Sequence, residues 1–334
     1  MSVTRTNAAV FPVAAPFNTT PPYSGNFIPT VWSAKMNAKF YAASVFGDIA
    51  NTNWQGEISG MGDKVVINTA PTITVSDYTV GGGLNYQAPT PDAQELVIDK
   101  GKYFAFQVND VLEYQAQPKL IDVFSADAAQ QMRIRVDSNV LYNTFAQGSA
   151  ANKGSTAGVK SGKYDMGSDT SPITLTGSNV LQKILELASI LDEQNVPDSD
   201  RFVVIDAYTR ALLMQSNLSQ AQFMGDDTSI VRNGLIGSID RFKVYVSNQL
   251  PKAVAGMATP WLSGDGSENS ITSASNLARR AIIAGHKSAI TFASQITKME
   301  TVRNPSDFGD YIRSLNVYGF KVVKPESLAL LVAA

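Results

Sequence analysis

From Leu120 to Gln147 the chain runs without glycine or proline, between Pro118 and Gly148. Leu120, Phe124, Ala128, Met132, Val136 and Val140 recur every four residues, and Ile134, Leu141 and Phe145 form a second stripe on another side. The spacing predicts a helix over 120–147, roughly 40 Å long at 1.5 Å per residue. Two stripes require more than one neighbour along its length, whereas one narrow face would only cap a core. A long buried helix in an ordinary enzyme would show the same periodicity.

Upstream, the pattern turns β-branched. Lys64–Thr69, Thr72–Val75, Glu95–Lys100 and Lys102–Val108 read as strands. Between them Ser76–Gln94 carries three consecutive glycines, two prolines and few large apolar groups, so it cannot form a core. The combination predicts a long hairpin leaving the body, and a solitary hairpin is only marginally stable in water. A second subunit receiving it resolves that difficulty. Residues 1–26, with Pro12, Pro16, Pro21 and Pro22, have no period and read as an extended arm. A helix is expected from Phe27, with Pro29 in its first turn, to about Phe46.

Past the long helix, Gly148–Gly177 is rich in Gly, Ser, Thr and Lys and reads as a surface insertion. Val180, Ile184, Leu187 and Leu191 then share a helical face. Phe202–Ile205 is expected as a short buried strand, Tyr208–Gln215 as a helix, and Phe242–Ser247 and Ala281–Gly285 as strands. Pro251–Leu277 reads as loop. Residues 178–287 thus form a compact α+β unit. Ile290–Val323 alternates as two long strands around the Pro- and Gly-containing connector Asn304–Gly309. Their return to pair with the strands before the long helix would make 178–287 an insertion.

Composition narrows the classes. The 334 residues are 44% hydrophobic, enough for a sizeable core. A net charge of −2, from 27 basic and 29 acidic residues, disfavours a generally basic nucleic-acid binder. No apolar run reaches the roughly 18 residues that a helix needs to cross a bilayer, so no membrane is expected. There is no cysteine and one histidine, His286.

Catalytic and cofactor chemistry lack a constellation. A serine triad would have only His286, which follows a strand as a polar loop residue. Gly154-Ser155-Thr156-Ala157-Gly158 puts Thr where a nucleophile elbow needs Ser. Gly158-Val159-Lys160-Ser161-Gly162-Lys163-Tyr164 has the wrong spacing for a phosphate loop, and Gly81-Gly82-Gly83 has no helix after it. The carboxylate pairs Asp192-Glu193 and Asp226-Asp227 read as solvated helix ends or turns. No enzyme, metal or cofactor is expected. Nucleic-acid recognition has only Arg133 and Arg135, flanked by Asp127 and Asp137.

Several stretches, in order, resemble the major capsid proteins of tailed phages. They are Phe27-Ile28-Pro29 with Val31-Trp32-Ser33-Ala34-Lys35 and Lys39-Phe40-Tyr41, then Gly62-Asp63-Lys64-Val65, Ile98–Phe106 and Val108-Asn109-Asp110-Val111. Asp192–Pro197, Arg303-Asn304-Pro305 with Asp307–Asp310, and Leu315–Gly319 follow. The resemblance spans nearly the whole chain. It implies an α+β fold of the HK97 type, with an N-terminal arm, an extended E-loop hairpin, a P-domain carrying a long spine helix and an inserted A-domain. Mapped here, the arm and first helix occupy 1–56, the E-loop 57–101, the P-domain with its surface insertion 102–177, the A-domain 178–287 and the returning P-domain strands 288–334.

The implied function is self-assembly as pentamers and hexamers into an icosahedral head around double-stranded DNA, without sequence-specific binding. The implied place is the virion capsid, assembled in the host cytoplasm. An encapsulin-like compartment shares the fold, and a soluble hydrolase is the alternative from another class. Some relatives carry a long scaffolding segment before the arm. Only about 26 residues precede the first helix here, too few for a domain, so a separate scaffolding protein is expected, with a portal and a cement protein as further partners. Some relatives join an E-loop Lys to a neighbour's Asn, but residues 70–94 contain no Lys. Assembly contacts are expected at Asp77, Tyr78, Tyr86 and Asp92 on the hairpin, Arg133 and Arg135 on the spine, and Arg303, Asp307 and Asp310 on the connector.

Overall fold

The structure is a computed structural model. It describes residues 44–54, 64–69, 71, 73–78, 80, 81, 83, 86–110, 120–168, 171–216, 237–253, 279–305 and 308–334. The expected arm and nearly all of the expected first helix lie outside these residues. So do most of the 251–277 loop, the pair Asp226-Asp227 and Asp307.

A short turn of helix, α1 (Phe46–Ile49), leads to a hairpin of β1 (Lys64–Thr69) and β2 (Asp92–Val97). These pair antiparallel from Lys64↔Val97 to Thr69↔Asp92. After two residues β3 begins (Lys100–Asn109), and the long helix α2 spans Leu120–Gln147, the bounds expected from its flanking proline and glycine. Gly148 ends it where a Cβ would stand 2.4 Å from Leu330 Cδ1. Described residues 73–75 form no ladder, contrary to the strand expected over Thr72–Val75. β-branching alone does not supply a partner for the backbone.

A three-stranded sheet has the order β3-β10-β9, with β9 at Ile290–Arg303 and β10 at Gly309–Val322. The late strands therefore do pair with the strand before the long helix, antiparallel from Gly309↔Asn109 to Tyr318↔Lys100.

The second sheet has six strands: β11-β8-β4-β6-β5, with β7 (Lys252–Ala253) beside β8. β4 is Arg201–Ile205, β5 Ser238–Ile239, β6 Phe242–Val246, β8 Arg279–His286 and β11 Leu328–Ala333. β4 and β6 run parallel and are joined through α4 (Ala207–Gln215), as a parallel pair requires a crossover. Both faces of this sheet are covered, so β4 and β11 are buried at every position. On one face Val203, Ile205, Leu331 and Ala333 meet α3 (Val180–Glu193) through Ile184, Leu187 and Leu191. On the other, Phe202, Val204, Leu328 and Leu330 meet Val136, Val140, Leu141 and Phe145 of α2.

Three further sequence expectations need correction. β11 pairs with β8 in the six-stranded sheet, although residues 288–334 read as returning strands of the other sheet. The 148–177 stretch is not a surface insertion: Ala157, Met166 and Leu175 are buried in the α3 core, and Ile173 bridges to Ala333. Few but well-placed apolar residues make it a core element despite its Gly and Ser content. Finally, α2 is enclosed only in its second half. Asp122, Val123 and Phe124 are exposed, and Phe124 packs edge-to-face on Phe106 of β3 at 6.0 Å.

Candidate assembly surfaces

The hairpin base is held by a small core of Ile67, Leu96, Ile98, Ala293 and Val323, with Trp54 packed against it. Beyond Thr69 and Asp92 the ladder stops. There the Gln87 side chain takes over, accepting from Thr74 N (3.0 Å) and donating to Thr74 O (2.7 Å). Past that clip the large side chains among the described residues are bare: Val75 and Val80 are 93% exposed, Tyr86 87% and Tyr78 72%. Asp77 is exposed beside them, and Gly81 turns the chain with φ +84°. Asp92 closes the ladder opposite Thr69.

The second surface is the connector between β9 and β10. Arg303 forms a two-pronged ion pair with Asp110, with Nη1 donating to Oδ1 at 2.8 Å and Nη2 to Oδ2. Nη1 also reaches Asp310 Oδ1 at 3.2 Å. The guanidinium holds the Asp110 carboxyl below its usual range, and the two carboxylates raise Arg303 further. Asn304 N donates to Gly309 O, closing the turn. Sequence reasoning placed Arg303 and Asp310 on one connector but missed Asp110, whose approach depends on the β3–β10 register.

The open face of the three-stranded sheet is the third. Tyr103, Ala105, Arg313, Leu315, Lys298 and Glu300 line a groove of about 580 Å³. Arg313 Nη2 and Nε bond Glu300 Oε2 at 2.7 and 3.0 Å, and Lys298 pairs with the same carboxylate. Sequence reading offered no signal for this groove beyond the alternation of β10.

On α2, Arg133 is exposed and Arg135 is half-buried.

Other polar groups are tied up structurally. His286 closes β8, and its Nδ1 accepts from Ser288 N at 3.1 Å; burial lowers its pKa. Glu193 accepts from Lys160 N (2.9 Å) and Ser161 N (3.2 Å), so its carboxylate fills the place where the Gly158–Tyr164 loop would offer amides to a phosphate. Asp192 stays exposed at the end of α3, as expected, and its Oδ1 also takes Arg201 Nη2 at 2.7 Å and Arg241 Nη1 at 3.2 Å. Among the described residues no cluster of His, Asp and Glu fits a metal ion.

The sequence model of the family described as "Phage capsid protein" matches residues 93–331. No curated protein matches the chain in sequence. Among solved structures, one from Mycobacterium phage Che8 is 25% identical, with TM-score 0.71 over 92% of this chain and 97% of that one. The capsid structure of the Cyanophage P-SCSP1u is 18% identical, with TM-score 0.69 over 93% and 94%. The capsid of a native GTA particle is 10% identical, with TM-score 0.62 over 96% and 100%. These two share the fold.

Proposed function

The chain belongs to the phage capsid protein family, as a major capsid protein of the virion head with the HK97-like fold, and from that premise we propose how its surfaces build the shell. Subunits assemble as pentamers and hexamers into an icosahedral shell around double-stranded DNA, held without sequence-specific contacts. The five segments expected from the sequence serve as arm, E-loop, P-domain, A-domain and returning P-domain strands, with β11 shared into the A-domain sheet. A separate scaffolding protein, a portal and a cement protein are the further partners.

The observation that carries this reading is the hairpin tip. Tyr78, Tyr86, Val75 and Val80 are almost fully solvated, which is costly for an isolated finger and useful for one that enters a neighbour. Asp77 and Asp92 then meet positive charge, for which Arg133 and Arg135 of an adjacent spine are our candidates. Exposed ion pairs contribute about 0–1 kcal/mol each, so apolar and backbone contacts dominate and charge sets register. The Arg303–Asp310 connector, braced through Asp110, is the rigid contact between capsomers, to which Asp307 adds a charge.

Electron microscopy of the expressed protein tests this directly. Wild type forms closed shells. A variant lacking residues 79–87 keeps the circular dichroism of a folded subunit and forms no stable shells. Normal shells from the deletion would overturn the role given to the hairpin. Arg303→Ala and Asp307→Ala leave folding intact and yield unclosed or aberrant particles; normal particles from both would remove the connector from the assembly contacts.

A further inference from the structure

Asp137 lies on the enclosed half of α2 with no solvent exposure. Its Oδ1 accepts the backbone N–H of Val45 at 3.1 Å and of Phe46 at 2.9 Å, where the chain enters α1. Its Oδ2 is buried with no hydrogen-bond partner. An ionised carboxylate offers about four lone-pair sites, and here one oxygen is left without a protein donor. The segment it grips is wedged between two elements. Val45, Ile49 and Ala50 pack with Val136, Val140 and Phe145 of α2. At the other end Asn51 N donates to Ile290 O (2.8 Å) and Phe292 N donates to Asn51 O (2.9 Å), clipping the segment to β9.

We propose that Asp137 is a proton-controlled latch that fastens the segment 45–51 to the long helix, firm when its carboxyl is protonated and looser when it is ionised. A protonated carboxyl keeps Oδ1 as an acceptor for both N–H groups and removes the charge from a site that cannot solvate it. The surroundings favour the neutral form: desolvation outweighs the two N–H bonds and the attraction of Arg133, and pushes the carboxyl up to about 6. Arg133, one turn earlier on α2, is the charged group that acts on it. Asp48 on α1 is exposed to solvent. β9 and β10 contribute Ile290, Phe292, Tyr318 and Phe320 to the same cluster, and of these only Tyr318 titrates, at about 12.

The direction of the pH effect follows. A released Asp137 ionises near its ordinary pKa of 3.8, whereas a latched one ionises near 6. Below both values pH has no effect. As pH rises between them the released form ionises first, so release becomes easier, and above about 6 the effect levels off. From pH 5 to pH 7 the release constant should rise roughly tenfold.

Amide hydrogen exchange on the full chain tests this, reading residues 45–51 after correction for the intrinsic pH dependence of exchange. The wild-type opening constant is expected to be roughly tenfold larger at pH 7 than at pH 5, and Asp137→Asn to abolish that difference. Protection independent of pH, or stronger at pH 7, would overturn the latch, as would an unchanged pH response in Asp137→Asn. Should that variant not fold, Arg133→Gln decides: losing the positive charge must move the midpoint of the wild-type profile to higher pH, and an unmoved midpoint refutes the assignment.

Discussion

Gly319 sits where the base of the hairpin crosses β10. A Cβ there would stand 2.2 Å from Val97 O and 3.0 Å from Ile98 Cα, both backbone atoms that cannot swing aside. Gly319→Ala should therefore lower stability by about 1–3 kcal/mol, read as a reduced urea midpoint. Gly47→Ala, with nothing within 4 Å of the added methyl, is the matched control and should not destabilise. Arg201 makes a similar point about charge. Its side chain is fully buried, donating to Pro197 O, Val196 O and Asp192, yet β4 reads as an apolar strand with an ordinary arginine before it. Arg201→Ala leaves two carbonyls without their donor and takes one of its two guanidinium partners from Asp192, and should cost roughly 2–4 kcal/mol; Arg201→Lys should not rescue, because one ammonium cannot reproduce the fork. Full stability of the lysine variant in the same denaturant titration would contradict that account.

At the scale of elements, α2 shows how far periodicity reaches. Both stripes exist, and the helix bounds coincide with the punctuation, because caps and breakers act within a turn or two. Which part of each stripe is covered depends on neighbours distant in sequence. Val136 is 2% exposed and packs on the six-stranded sheet, while Val123 is 37% exposed near the other end. Val136→Asp should bury an unpaired charge and cost several kcal/mol, giving insoluble or unfolded subunit. Val123→Asp should stay within about 0.5 kcal/mol, and half-buried Met132→Asp should fall between. Equal tolerance of all three in soluble expression would show that α2 is not enclosed as described. The 148–177 stretch carries the converse lesson: its composition resembles a loop, but Met166 and Leu175 each fill a place under α3 that only the folded chain creates.

For the whole molecule, stability of the shell has to come from repetition of weak contacts. The chain has no cysteine, and the hairpin stretch 70–94 lacks lysine, so neither disulfides nor a lysine bond from that stretch can join subunits. Particles should dissolve in hot detergent to monomer-sized bands. A ladder of covalent oligomers on that gel would disprove this.

The local elements were legible because their causes are local. Glycine and proline bound α2, β-branched runs mark β1, β3, β9 and β10, and the bare glycine-rich tip between β1 and β2 declares a finger without a core. The overall class was legible too, since several separated stretches resemble one family in order. Partner choice was legible only for the late strands that return to β3. The continuous apolar run Leu328–Ala333 states that β11 is to be buried on both faces, yet only the tertiary structure seats it beside β8. The same holds for the Arg303–Asp110 pair and for the buried, unpartnered oxygen of Asp137. Each depends on which residues far apart in the chain arrive together, and a hydrophobic period records the wish for burial without naming what will cover it.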